Sequence, residues 1–212
     1  MILTVGNTKG GVGKSTIAVQ LSLALAAAGA RVWLVDGDRQ QTSLGAMTVR
    51  SEGGKPPVAA AAYSDGATLR AQIKQQMHLY DHIIIDAGGR DSTALRAALT
   101  VSDTLLIPFL PRSFDVWALN DVCSLLAEAR AVNDIQALAV LNSADPSGSD
   151  NKEAEEAIRE LPGIELLPAR LTRRKAISHA SGAGLHVEEY RPRDPAACAE
   201  VAALVQAVCK ML

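Results

Sequence analysis

Short apolar runs alternate with stretches of helical spacing along almost the whole chain. Residues 1–6 (MILTVG) are apolar and rich in β-formers, which predicts a strand. Residues 15–28 carry apolar side chains at helical spacing with few breakers, which predicts a helix stopped by Gly29. A buried strand follows at 31–36 (RVWLVD), and Gly-Gly with Pro-Pro predicts a loop over 50–57. Further strands are expected at 58–63, 82–86 (HIIID), 104–108, 135–142 and 164–167, with a proline ending the third of these. Between and after them, helices are expected at 67–79, 92–101, 116–132, 152–161, 172–181 and 194–212, with a Ser/Asp/Gly/Pro loop at 143–150. The alternation predicts an α/β fold: a doubly wound, mainly parallel sheet flanked by helices. No internal repeat or composition break divides it, so the expectation is one domain over residues 1–212.

Composition narrows the picture. Hydrophobic residues make up 48% and aromatics only 3%, so Ala, Leu, Val and Ile must build the core. A net charge of −2 excludes a polycation, and any nucleic-acid contact would have to come from a local patch. Cys123, Cys198 and Cys209 lack metal-site spacing and are expected as thiols of a reducing cytoplasm. His78, His82, His179 and His186 share no chelating spacing either. The first strand begins at once, leaving no room for a signal peptide, and no apolar run approaches the ~20 residues that span a bilayer. The expectation is a soluble, cytoplasmic protein.

The chemistry concentrates at residues 5–16, VGNTKGGVGKST. Strand, glycine-rich turn and helix in that order form a phosphate-binding loop. Gly10, Gly11 and Gly13 let the backbone point successive N–H groups at an anion, and the helix N-terminus adds its dipole. Lys14 then reaches the β- and γ-phosphates, and the Ser15 hydroxyl is placed for Mg²⁺. Where the common pattern has a glycine six residues before the lysine, this chain has Thr8, followed by a second lysine, Lys9. Asp86 ends an apolar strand ahead of Ala87-Gly88-Gly89, the position of a carboxylate that holds Mg²⁺ directly or through water. Asp36 and Asp38 follow another strand, in Asp-Gly-Asp-Arg-Gln. Three strand ends thus converge on one crevice, where such sheets bind ligands.

The run Lys-Gly-Gly-Val-Gly-Lys-Ser-Thr resembles the deviant P-loop of the ParA/MinD family of ATPases. The resemblance covers nearly the whole chain and implies a P-loop ATPase that binds ATP and Mg²⁺ through Gly10, Gly11, Val12, Gly13, Lys14, Ser15 and Thr16. It implies that Lys9 reaches the partner's nucleotide in an ATP-bound homodimer, that Asp38 positions the attacking water, and that Asp36 supports Mg²⁺. Arg39 departs from the usual proline of that acidic motif. Asn142 is implied as an adenine contact, although an asparagine there equally suits a turn cap, and Pro168 is implied to pack on the base. Asp115 and Trp117, after Pro111-Arg112-Ser113, fall where the family places its dimer and partner surface.

Arg170, Arg173, Arg174 and Lys175 place four positive charges within six residues, with Arg191 and Arg193 further on. By charge alone this is a solvated helix face; the resemblance implies non-specific double-stranded DNA binding. The shortness of the chain resembles small plasmid-type ParA proteins. That implies slow ATP hydrolysis, nucleoid association, a centromere-binding ParB-type adaptor that stimulates turnover, and plasmid or chromosome partition. A MinD-like membrane-associated positioning ATPase would need a basic amphipathic C-terminal helix, and residues 196–212 offer one lysine and no aromatics. A dethiobiotin-synthetase-like ligase would need a dedicated acceptor pocket. A nitrogenase-iron-protein-like carrier would need cluster cysteines near a nucleotide motif.

Overall fold

The structure, a computed structural model, describes residues 1–89, 92–111, 119–147 and 149–210. Seven strands form one sheet: β1 Ile2–Val5, β2 Val32–Asp36, β3 Ala59–Ala62, β4 His82–Asp86, β5 Thr104–Phe109, β6 Gln136–Ala144 and β7 Glu165–Thr172. Every pairing is parallel, in the order β3-β2-β4-β1-β5-β6-β7. A parallel sheet needs cover on both faces, which is why its central strands read as continuous apolar runs.

Eight α-helices are found among the described residues: α1 Lys14–Ala27, α2 Thr42–Glu52, α3 Gly66–Gln76 (continued by a 3₁₀ turn, Met77–Leu79), α4 Thr93–Leu99, α5 Leu119–Arg130, α6 Asp150–Arg159, α7 Lys175–Gly182 and α8 Pro195–Lys210. Successive strand residues point to opposite faces. Leu3, Leu34, Ile84 and Leu106 therefore meet α1, α2, α7 and α8, while Ile83, Ile85, Leu105 and Ile107 meet α3 to α6. Each fully buried leucine or isoleucine contributes about 1.5–3 kcal/mol. The Ala-rich α1 is buried on almost every side, as small side chains permit.

Winding reverses at β1, which lies between β4 and β5. Loops leaving β1, β2 and β4 therefore gather at one end of the sheet. The carboxylate-bearing ends of β2 and β4 stand side by side, with Asp36 in register with Asp86.

The sequence pattern missed α2. Thr42, Ser43, Gly45, Thr48 and Val49 are poor helix formers, and part of the loop expected at 50–57 is helical. Its start is capped from another element: Oδ2 of Asp36 accepts from the N–H groups of Ser43 (2.9 Å) and Leu44 (3.0 Å) and from the Ser43 hydroxyl (2.8 Å). A cap supplied from outside the segment cannot show in local propensity. The strands expected at 135–142 and 164–167 extend to Ala144 and Thr172, with register shifts between them. Residues 116–118 of the expected helix 116–132, and the last two residues of the chain, lie outside the described residues.

The segment between α7 and α8 is pinned to α2. Arg50 is 7% exposed and donates from Nε to the Pro56 carbonyl (2.7 Å) and from Nη1 to the Gly184 carbonyl (2.9 Å) and Glu189 (2.7 Å). Burial pushes the Glu189 pKa up, but hydrogen bonds from Arg50 and the His186 amide, with the charges of Arg50 and Lys55, outweigh it and hold the group at about 2. A depressed carboxylate stabilises the fold above its unfolded pKa, near 4.5, and that contribution is lost as pH falls toward 2. Melting temperature should therefore fall more steeply between pH 5 and 3 in the wild type than in Glu189→Gln, with the two curves converging at the acid end.

Candidate nucleotide site

The loop after β1 is held in place before any ligand is considered. Asn7, buried just past the strand, donates to the Pro108 carbonyl at the end of β5 (2.8 Å) and accepts from the Lys9 N–H (2.9 Å). From the end of β6, Asn142 donates to the Val12 carbonyl (2.7 Å). Gly13 has φ +92°, and a β-carbon there would overlap the Asn142 amide, so only glycine fits. No side chain caps α1, which leaves its first N–H groups and dipole facing the loop.

Lys14 opens α1 and is 7% exposed. Its ammonium folds back across the loop to the Lys9 carbonyl (2.8 Å). Burial lowers its pKa, and the charges of Asp86 and Asp38 oppose the shift. Gly89, after β4, stands directly over the loop: the Lys14 ammonium lies 3.3 Å from where a β-carbon would sit.

Asp86 is fully buried, and neither oxygen meets a donor in hydrogen-bonding geometry among the described residues. Burial raises its pKa to about 7; the Asp36 charge adds to the rise, and the nearby Ser15 and Ser43 hydroxyls and the Lys14 charge pull against it. An unpaired buried carboxylate beside a hydroxyl and a phosphate loop is costly unless a cation satisfies it. The site therefore fits Mg²⁺, a hard cation that takes one or two carboxylates and completes its shell with water and phosphate.

Asp36, expected to support Mg²⁺, is fully buried beside Asp86, and its oxygens accept hydrogen bonds from the turn and from α2. Oδ1 accepts from the Asp38 N–H (2.9 Å), and Oδ2 starts α2. Both oxygens are spent on shaping the turn that presents Asp38. Asp38 itself is half-buried, with Oδ1 accepting from the Gln40 N–H (3.0 Å) and Oδ2 packed over Gly88. Arg39, replacing the family's proline, is exposed. Asn142, expected as an adenine contact or a turn cap, directs one N–H of its amide to the P-loop backbone. Pro168 sits on the exposed side of the edge strand β7, where the pairing with β6 slips. Asn7 and Ser43 escaped the sequence reading. The polar residue directly after β1 was the one available signal for Asn7, and Ser43 offered none.

The basic cluster is divided by the fold. Arg170 lies in β7, 3.9 Å from Glu155. Arg174, among the expected DNA contacts, is engaged with Glu200 (2.9 Å) and Asp194 (3.7 Å). Arg173 and Lys175 are exposed. Lys175 joins His179, Tyr190 and Arg193 along an open groove of about 500 Å³. Asp115 and Trp117 lie outside the described residues. The apolar face of α8 (Val201, Leu204, Val208) is buried in the core, so it is not presented to lipid. No helix among the described residues is long and apolar enough to cross a membrane.

A family model described as the CobQ/CobB/MinD/ParA nucleotide binding domain matches residues 3–187. The maintenance of carboxysome distribution protein A of Halothiobacillus neapolitanus is 30% identical over 204 residues, covering 94% of this chain and 92% of that protein. Protein ParA of Rhizobium radiobacter is 29% identical, covering 100% of this chain and 97% of its own length. Among solved structures, the septum site-determining protein MinD of Pyrococcus horikoshii, complexed with Mg-ADP, superposes with a TM-score of 0.76 at 21% identity. That likeness covers 99% of this chain and 96% of the other.

Proposed function

The chain belongs to the CobQ/CobB/MinD/ParA nucleotide-binding family, whose ParA/MinD branch consists of ATPases, and from that premise we propose that it is a DNA-associated positioning ATPase switched by ATP-dependent dimerisation. The observation that carries this reading is a phosphate loop with two lysines, Lys9 and Lys14, in which the Lys14 ammonium is held on the Lys9 carbonyl near the buried, unsatisfied Asp86. One lysine serves the nucleotide in its own subunit. The second supports a nucleotide shared between two.

In this reading the loop amides of Gly10 to Thr16 and the Lys14 ammonium hold the phosphates of ATP. Asp86 and Ser15 hold Mg²⁺, which neutralises phosphate charge when bound. Asp38, presented by the Asp36 turn, orients the attacking water, and Lys14 stabilises charge on the transferred group. The ATP-bound dimer grips duplex DNA through phosphate contacts alone, with Arg170, Arg173, Lys175 and Arg193 among the exposed cations available, and a ParB-type adaptor stimulates hydrolysis and release. The cargo is a plasmid or chromosome. A second reading, with a protein body as cargo, is favoured by the 30% identity to a carboxysome distribution protein. The two separate on whether the stimulating adaptor binds a DNA site or a protein assembly.

Gel shift on random duplex DNA with ATP, ADP and no nucleotide tests the reading. Binding should require ATP and weaken steeply with salt; binding that ignores nucleotide would sink it. Lys175→Ala should weaken binding and reduce the salt slope by about 1. Arg174→Ala should instead leave DNA affinity nearly unchanged. Its cost falls on the fold, about 1–2 kcal/mol through the lost Glu200 contact, read as a lower melting temperature.

A further inference from the structure

Two helices that begin at the nucleotide site grip one and the same distant loop. α1 starts with Lys14 and Ser15; on it, Gln20 donates to the Ser181 hydroxyl (3.0 Å) and the Leu185 carbonyl (2.9 Å) and accepts from the Val187 N–H (2.8 Å). Gln20 is 1% exposed, so every arm of its amide is committed inside the protein. α2 starts on the Asp36 carboxylate directly after Asp38; on it, Arg50 holds the Gly184 carbonyl and Glu189. The fit at that point is close. Gly184 has φ +65°, and a β-carbon there would overlap the Ala46 carbonyl of α2.

The held loop, residues 183–194, runs from the end of α7 to the start of α8 and supplies Tyr190 and Arg193 to the basic groove. The opposite wall, Lys175 and His179, belongs to α7, whose last turn Gln20 holds at Ser181. Both walls of the groove are therefore tied to elements whose N-termini form the phosphate and acidic-turn sites. A displacement of α1 relative to α2 when nucleotide settles between their N-termini changes the distance between Gln20 and Arg50. Such a displacement would shift the loop they share, because packed interiors transmit movements of this kind.

We propose that Gln20 and Arg50 form a two-point clamp through which the nucleotide sets the shape of the Lys175–Arg193 groove, and so its hold on phosphates. The inference rests on the DNA-binding reading for its consequence but not for its mechanics. Neither Gln20 nor Arg50 is among the residues that hold the nucleotide, so variants at these positions should keep MgATP binding measurable.

Hydrogen exchange read by mass spectrometry on the full chain tests the mechanics without DNA. Exchange over 183–194 should differ between MgADP and MgATP in the wild type. Gln20→Met, Arg50→Met and Glu189→Gln should remove that difference while binding MgATP normally; Glu189→Gln keeps the test usable if Arg50→Met fails to fold. A loop that exchanges identically in both nucleotides, or a difference that survives in every folded variant, would overturn the clamp. In parallel, the wild-type preference of random duplex DNA for the ATP state should be about 5–150-fold, the usual range of coupling between sites, and should fall toward unity in the variants. A loop that responds to nucleotide in a protein that never retains DNA would support the clamp and end the DNA reading instead.

Discussion

Lys14→Ala should lose MgATP affinity by about 10- to 100-fold or more and fall below measurable turnover. A charge-assisted hydrogen bond to phosphate contributes about 1.5–3 kcal/mol, and stabilisation of the developing charge adds a further factor of about 10²–10³ in rate. The fold should survive. Lys14 is buried with its pKa lowered mainly by that burial, so its ammonium costs free energy in the unliganded protein. Removing it should leave the melting temperature within a few degrees, and Asp86, already raised to about 7, takes up a proton more readily. Isothermal titration with MgATP, beside a thermal melt, reads both halves. Retained affinity would show that the loop is not the phosphate cradle.

Asp38→Ala should separate binding from hydrolysis. Among the described residues its carboxylate accepts from the Gln40 N–H within the turn, while the turn itself is shaped by Asp36. The loss should therefore fall on water positioning, about 10²–10⁴ in turnover, with ATP affinity changed little. The variant should accumulate as the ATP-bound species. Asp36→Ala should behave differently: it removes the external cap of α2, leaves N–H groups of Ser43 and Leu44 without their acceptor, and should lower stability together with activity. Phosphate release under saturating ATP, compared with melting temperature for each variant, distinguishes the catalytic carboxylate from the one that positions it.

Local signals were legible in the sequence, and distant ones were not. The β1–loop–α1 unit is a contiguous motif, and its strand, glycines and lysine all carry their reason within a dozen residues. The strand ending at Asp86 shows itself for the same reason. The helix α2 did not, since its cap comes from a carboxylate on β2. Asn7 looked like an ordinary loop residue until its partners on β5 and in the loop were seen. Arg174 sits among arginines in sequence but beside Glu200 and Asp194 in space. A count of charges could not tell the neutralised arginine from the exposed Lys175. Asn142 lies beside the phosphate loop in space, and its bond to the Val12 carbonyl, 130 residues away in sequence, could not show in the local pattern.

In the proposed switch, Lys9 is the residue that would separate a nucleotide shared by two subunits from one held by a solitary domain. Its backbone is held on both sides, by the Asn7 side chain and the Lys14 ammonium, and these two bonds do not depend on the side chain at position 9. Sedimentation velocity in the Asp38→Ala background measures the consequence without turnover. With MgATP that protein should sediment as a dimer and with MgADP as a monomer, and adding Lys9→Ala should return the MgATP sample to monomer while each subunit still binds nucleotide. A dimer that forms equally well without Lys9, or a monomer in every nucleotide, would contradict the account.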